Sequence, residues 1–151
     1  MPEYLGETVK HPLLDETKRN FLIMGGRPEN RRKAIDLFMT VFNANTNIRQ
    51  MSLLEAEVVK VSENRAIMFK VMECQELFDA CQNHDIDYYT IREAVYGDDP
   101  RMTLWWSAIY KQRGANSKCI PKDVYAWDAW ATTPLTKKLL DYNEELLKRN
   151  V

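Results

Sequence analysis

"LLEAEVVKVSENRAIMFKVMECQELFDACQNH", residues 53–84, runs for about thirty residues with neither glycine nor proline. Ser52 stands just before it and Glu55 three residues later, the spacing of a capping box in which each side chain satisfies a backbone N–H at a helix start. The stretch therefore predicts one long helix. Its apolar residues cover more than half of the helical circumference, so it is expected to be packed on several sides, as the spine of a helical domain or across an oligomer interface. Glu57, Lys60 and Asn64 fall at i, i+3 and i+7, which places them on one face that continues into Met68 and Val71. A stripe that turns from polar to apolar is either the wet end of a surface face or a set of polar groups held in a cleft. Glu57 and Lys60 also make an ordinary i,i+3 surface pair.

Before this helix, "NFLIMGG" at 20–26 reads as a short buried strand closed by two glycines. "PENRRKAIDLFMTVFN" at 28–43 follows, with Pro28 suited to a first helical turn and Ala34, Ile35, Leu37, Phe38, Val41 and Phe42 at helical spacing. "NIRQMS" at 47–52 is a weaker second strand. Strand, helix and strand make a small layered α/β unit over residues 1–52. After the long helix, "DIDYYTIREAVYGDD" predicts a shorter one with Asp87 or Thr90 as cap and an end near Gly97. "RMTLWWSAIYKQRG" is a further helix or a turn-rich segment, and "KDVYAWDAWATT" and "LTKKLLDYNEELLKRN" are two more helices separated near Pro134. The fold class is thus mostly α with a small α/β layer, divided into 1–52 and a helical domain at 53–151.

Composition narrows the function. The 151 residues are 45% hydrophobic and 28% charged, the profile of a folded globular chain, and the net charge of -1 gives no one-signed field for nucleic acid or acidic lipid. The start, "MPEYLGETVK", carries charges where a secretory signal needs an apolar run, and no window approaches a membrane span; the expected location is the cytoplasm, with no nucleic-acid or membrane partner. Three cysteines without CxxC spacing argue against a disulfide framework or a zinc site, and no metal is expected. Cys74 and Cys81, seven apart on the long helix, read as small buried groups. Cys119 differs, because it lies in "NSKCIPKDVYAW" with Lys118 and Lys122 on either side. A thiol is a good nucleophile when its thiolate is favoured, as a neighbouring cation achieves, and Pro121 stiffens the turn that presents it.

"EAEVVKVSEN" at 55–64 resembles the Ala-Glu-x-x-Lys-x-x-x-Asn start of the long central helix in the UDP-glucose/GDP-mannose dehydrogenases, and "CIPKD" at 119–123 resembles their Cys-Leu-Pro-Lys-Asp. "PEYLGET" at 2–8 is similar to their Pro-Glu-Phe-Leu-x-Glu loop, "NFLIMGG" to their Arg-Ile-Val-Ile-Gly-Gly strand, and "DPRM" at 99–102 to their Asp-x-Arg-Ile. The resemblance implies a helical dimerisation domain like the C-terminal domain of 6-phosphogluconate dehydrogenase. It also implies oxidation of a nucleotide sugar from alcohol to aldehyde to acid, with NAD and with a cysteine that carries a thiohemiacetal and then a thioester. By that resemblance Cys119 is the nucleophile, Lys60 and Asn64 stabilise the oxyanion, and Asp123 orients water or a base. Glu7 helps to activate water and Glu3 supports the same loop. Lys122 lies near the cofactor, and Arg101 reaches the sugar nucleotide of a neighbouring subunit in a homodimer formed through helix 53–82.

The chain also departs from the family pattern. Its glycines, at 6, 25, 26, 97 and 114, contain no Gly-x-Gly-x-x-Gly turn for NAD, and the family's second α/β domain is not among these 151 residues. "RGANSK" replaces a Gly-Phe-Gly-Gly loop before the cysteine, and Gly6 stands where a basic residue is usual. The expectation is a truncated enzyme part, inactive alone and completed by a separately encoded NAD-binding domain. The alternative is a non-catalytic dimerisation or interaction module, which the aromatics Trp105, Trp106, Tyr110, Tyr125, Trp127 and Trp130 would suit.

Overall fold

The computed structural model describes residues 20–42, 45–99, 101–103, 105–131 and 134–149. The chain divides into two compact units, Met1–Lys60 and Val61–Val151.

In the first unit, strand β1 (Phe21–Gly25), helix α1 (Pro28–Phe38) and strand β2 (Asn47–Met51) form a parallel pair with its crossover helix. Phe21 lies opposite Asn47 and Gly25 opposite Met51. Both faces of β1 are covered, as a parallel strand requires. Ile23 packs with Ala56, Phe21, Met51 and Val59, while Leu22 and Met24 pack with Phe42, Ala34, Ile35, Phe38 and Ile48. Fully burying a side chain such as Leu22 or Met24 contributes roughly 1.5–3 kcal/mol. Gly25 lets the first turns of the next helix approach, since a Cβ there would stand 2.7 Å from the Ala56 Cβ. That is why the unit extends to Lys60, beyond the change in sequence character at 52/53. α1 is shorter than its apolar spacing suggests. It stops at Phe38 because the Thr40 hydroxyl takes the Leu37 carbonyl at 2.7 Å, and residues 39–42 continue as tight turns that still bury Phe42.

The long helix α2 spans Leu53–Asn83. Its capping box forms: the Ser52 N–H donates to Glu55 Oε2 at 2.7 Å and the Glu55 N–H to Ser52 Oγ at 3.3 Å. The Ser52 N–H, aided by the Ser52 hydroxyl, holds the Glu55 carboxyl below its usual range.

In the second unit α2 is joined by α3 (Tyr88–Arg92), a π-helical turn (Glu93–Gly97), α4 (Ile120–Ala131) and α5 (Pro134–Leu146). Met68, Met72, Ala115, Val124, Leu139, Leu140 and Leu146 form the core, with Phe69, Val71, Ile120 and Tyr142 against it. Asp87 caps α3 through the Tyr89 and Thr90 N–H groups. The widened turn after α3 delivers Tyr96 to α2, where its hydroxyl donates to Glu73 and the Lys70 ammonium covers its ring. Residues 105–119 are turn-rich. Buried Ser107 anchors them by accepting the Tyr88 hydroxyl on its carbonyl at 2.5 Å and Arg92 Nε on its hydroxyl at 2.7 Å.

Candidate functional site

Cys119 is exposed and sits immediately before α4, whereas Cys74 and Cys81 are buried on α2. Ser117 Oγ accepts the Ile120 N–H at 3.3 Å, and the Cys119 carbonyl accepts the Asp123 N–H at 3.0 Å. The thiol is therefore carried at the N-terminal end of a 12-residue helix, the positive end of its macrodipole.

Asn64 is only 5% exposed, so the polar stripe on α2 has turned inward by that position. Its Nδ2 donates to Asp123 Oδ2 at 2.6 Å, and Lys122 Nζ lies 3.1 Å from Oδ1 of the same carboxylate. Both oxygens of Asp123 are thus engaged, one by a buried neutral donor and one by an exposed cation. The Asp123 hydrogen bond and charge, with a smaller contribution from Cys119, hold the Lys122 ammonium above the ordinary lysine range. Val124, fully buried, fixes the turn that follows.

The segment leading into the cysteine is held just as firmly. Arg113, buried, donates through Nε to Gln75 Oε1, through one terminal nitrogen to Asp79 Oδ1 at 2.8 Å and through the other to the Gln75 carbonyl at 3.2 Å. Gly114 adopts φ +79°, a conformation that suits glycine. Asn143 Oδ1 accepts the Ala115 N–H at 2.7 Å, and Asn143 Nδ2 donates to the Ala115 carbonyl at 3.1 Å.

Cys119, Asn64, Lys122 and Asp123 therefore share one neighbourhood. Lys60, half-buried, lies on α2 one helical turn before Asn64 and belongs to the first unit. Arg101 is exposed and its guanidinium grips Asp99 through Nε at 2.9 Å and a terminal nitrogen at 2.6 Å, which holds the Asp99 carboxyl below its usual range. Glu3 and Glu7 lie outside the described residues. Asn143 and Arg113 escaped the sequence reading, although Asn143 carried a signal: it is an asparagine on the face of α5 shared by Leu139, Leu140 and Leu146.

The described α/β unit does not fit NAD. Arg31 donates to the Gly26 carbonyl at 2.8 Å and the Met51 carbonyl at 2.7 Å, filling the carboxyl ends of both strands where an open sheet takes a ligand. Pro28 removes an N–H from the helix start that would face a pyrophosphate. Among the described residues no group of three or more His, Cys, Asp or Glu gathers as a metal site, and no helix is long and apolar enough to cross a membrane.

The family model described as "UDP-glucose/GDP-mannose dehydrogenase family, central domain" matches residues 54–146. The chain is similar to the solved structure of a UDP-glucose dehydrogenase from the hyperthermophilic archaeon Pyrobaculum islandicum, with a TM-score of 0.78 and 25% identity. That match covers 95% of this chain and 33% of the other, so the chain spans about a third of the length of this relative. No curated protein sequence matched. The central-domain match takes in both the long helix and the cysteine turn, and the chain belongs to the UDP-glucose/GDP-mannose dehydrogenase family.

Proposed function

We propose that this chain supplies the cysteine-bearing catalytic turn for NAD-dependent oxidation of a nucleotide sugar. The observation that carries the reading is the buried Asn64 amide bonded to Asp123, four residues after an exposed thiol at a helix start. Cys119 adds through sulfur to the aldehyde carbon, forming a C–S bond and an alkoxide. Lys60 and Asn64 are assigned, by family resemblance, to that developing negative charge. After oxidation to the thioester, water attacks the acyl carbon, the C–S bond breaks, and carboxylate and thiol are released. Asp123, held by Asn64 and Lys122, orients that water, and Glu7 and Glu3 are assigned to its activation by family resemblance alone. NAD, which the described α/β unit does not fit, would be brought by a separately encoded domain and would accept the hydride, with Lys122 assigned by family resemblance to its neighbourhood. Arg101 is assigned to the nucleotide sugar of a neighbouring subunit.

Aldehyde capture is measurable without turnover. A nucleotide-sugar 6-aldehyde should slow alkylation of Cys119 by iodoacetamide in a saturable way, and Lys60→Ala should weaken that protection. Protection no greater than in the urea-unfolded chain would overturn the reading.

A second reading, a homodimerisation module built on helix 53–82, is favoured by the apolar surface of the second unit. A groove of about 380 Å³ runs between α2 and α5, its apolar lining of Phe69, Met72, Leu135, Leu139 and Tyr142 interrupted by the charged Glu73, Glu76 and Lys138. Trp105, Tyr110, Tyr125 and Trp130 are also exposed. Light scattering at micromolar concentration separates the two: a monomer that retains aldehyde capture supports the catalytic reading alone.

A further inference from the structure

Cys119 stands midway between two buried asparagine contacts. Four residues after it, Asp123 accepts Asn64; four residues before it, Ala115 exchanges both of its backbone hydrogen bonds with Asn143. Asn143 is 1% exposed and Ala115 6% exposed, so neither has water as an alternative partner. The amide pairs with Ala115 much as a neighbouring strand would, accepting its N–H and donating to its carbonyl. Gly114 makes room for this, because a Cβ there would lie 2.9 Å from Asn143 Oδ1.

Between this clamp and the thiol, Asn116, Ser117 and Lys118 are all exposed. Burial does not hold them, and the start of the segment must be fixed at Ala115.

We propose that Asn143 is a positioning residue for the nucleophile turn, setting where the 115–119 segment leaves the core and so where the Cys119 thiol emerges at the start of α4. The proposal deepens the reading of Cys119 as nucleophile and rests on it for its catalytic meaning. Without the Asn143 amide the buried N–H and carbonyl of Ala115 lose their partners, and the segment must move outward to recover them from water. Arg113, tied to Gln75 and Asp79 two residues earlier, limits that movement to the stretch that carries the thiol.

The test uses a nitroxide on Cys119, which is selective in the folded protein because Cys74 and Cys81 are 1% and 4% exposed. Asn143→Ala and Asn143→Asp are compared with Leu140→Ala, which thins the same core one turn away and leaves the clamp intact. Both Asn143 variants are expected to raise the mobile fraction of the label and to speed amide exchange at Ala115 at least tenfold. On the unlabelled variants, the aldehyde concentration that half-protects Cys119 should rise at least fivefold. Leu140→Ala should do none of these. Should Asn143→Ala fail to fold, Asn143→Asp, which keeps the acceptor for the Ala115 N–H, carries the comparison. A wild-type label spectrum and wild-type Ala115 exchange in a folded Asn143 variant would overturn the proposal, as would an equal response in Leu140→Ala. A responsive label in a chain that shows no aldehyde capture overturns the nucleophile reading and leaves the clamp standing.

Discussion

Asn64 Nδ2 donates to Asp123 Oδ2 across 2.6 Å, joining the middle of the long helix to the first turn of the helix that follows Cys119. The two residues are 59 positions apart in sequence. Removing the amide leaves a largely buried carboxylate oxygen without its interior donor. Asn64→Ala should cost about 1–3 kcal/mol of stability in a denaturant titration with unchanged slope. A loss below about 0.5 kcal/mol would mean that the pair is not formed.

Gly114 offers a sharper test of local geometry. Its φ of +79° disfavours any side chain, and the added Cβ would meet Asn143 Oδ1 at 2.9 Å and Leu146 Cβ at 3.4 Å. Gly114→Ala is expected to destabilise by more than about 1 kcal/mol, the usual gain from restricting the unfolded chain being outweighed by strain. An unchanged or raised melting temperature would contradict the described turn.

Tyr96 gives a pH dependence. Burial first, and then the hydrogen bond to Glu73, push its hydroxyl well above the ordinary tyrosine range. A raised folded-state value means that the neutral form is favoured by folding, so this contribution is complete below pH ~10, the unfolded value, and is lost as pH rises through the folded value. Tyr96→Phe should lower stability at pH 7 and reduce the alkaline loss above pH ~10. Equal alkaline loss in both proteins would show that Tyr96 is not the group responsible.

Ser52 and Glu55 predict the opposite sign at acid pH. Glu55 is held below its usual range by the Ser52 N–H, so its contribution is present at neutral pH and disappears as pH falls through the folded value. Glu55→Ala, which removes the carboxylate that the Ser52 N–H holds, should lower the melting temperature at pH 7 and narrow the difference from wild type at low pH. A difference that stays constant with pH would show that the capping box carries no linked proton.

How far the fold was legible depended on whether the signal was local. Ser52 with Glu55, Asp87 before α3 and Pro134 as the first residue of α5 each mark a helix start within one turn of sequence, and each starts one in the structure. The end of α1 was less legible, because Thr40 competes for a helix carbonyl inside a pattern that remains apolar through Phe42. The π-helical turn carries Tyr96 to Glu73, 23 residues away, and has no local signature. At the site, the spacing of Lys60, Asn64 and Cys119–Asp123 was visible through family resemblance, while the clamp on Ala115 was not. Asn143 reveals its purpose only when α5 is laid beside the segment that precedes the cysteine.

Hydrolysis of an acyl group placed on Cys119 tests the thioester site itself. A small activated ester will acylate this exposed thiol in the folded chain while Cys74 and Cys81 stay buried. If the turn is a working thioester site, the folded chain should release the acyl group at least tenfold faster than the urea-unfolded chain, and Asp123→Asn should remove most of that difference. Equal rates in the folded, unfolded and Asp123→Asn proteins would contradict the account.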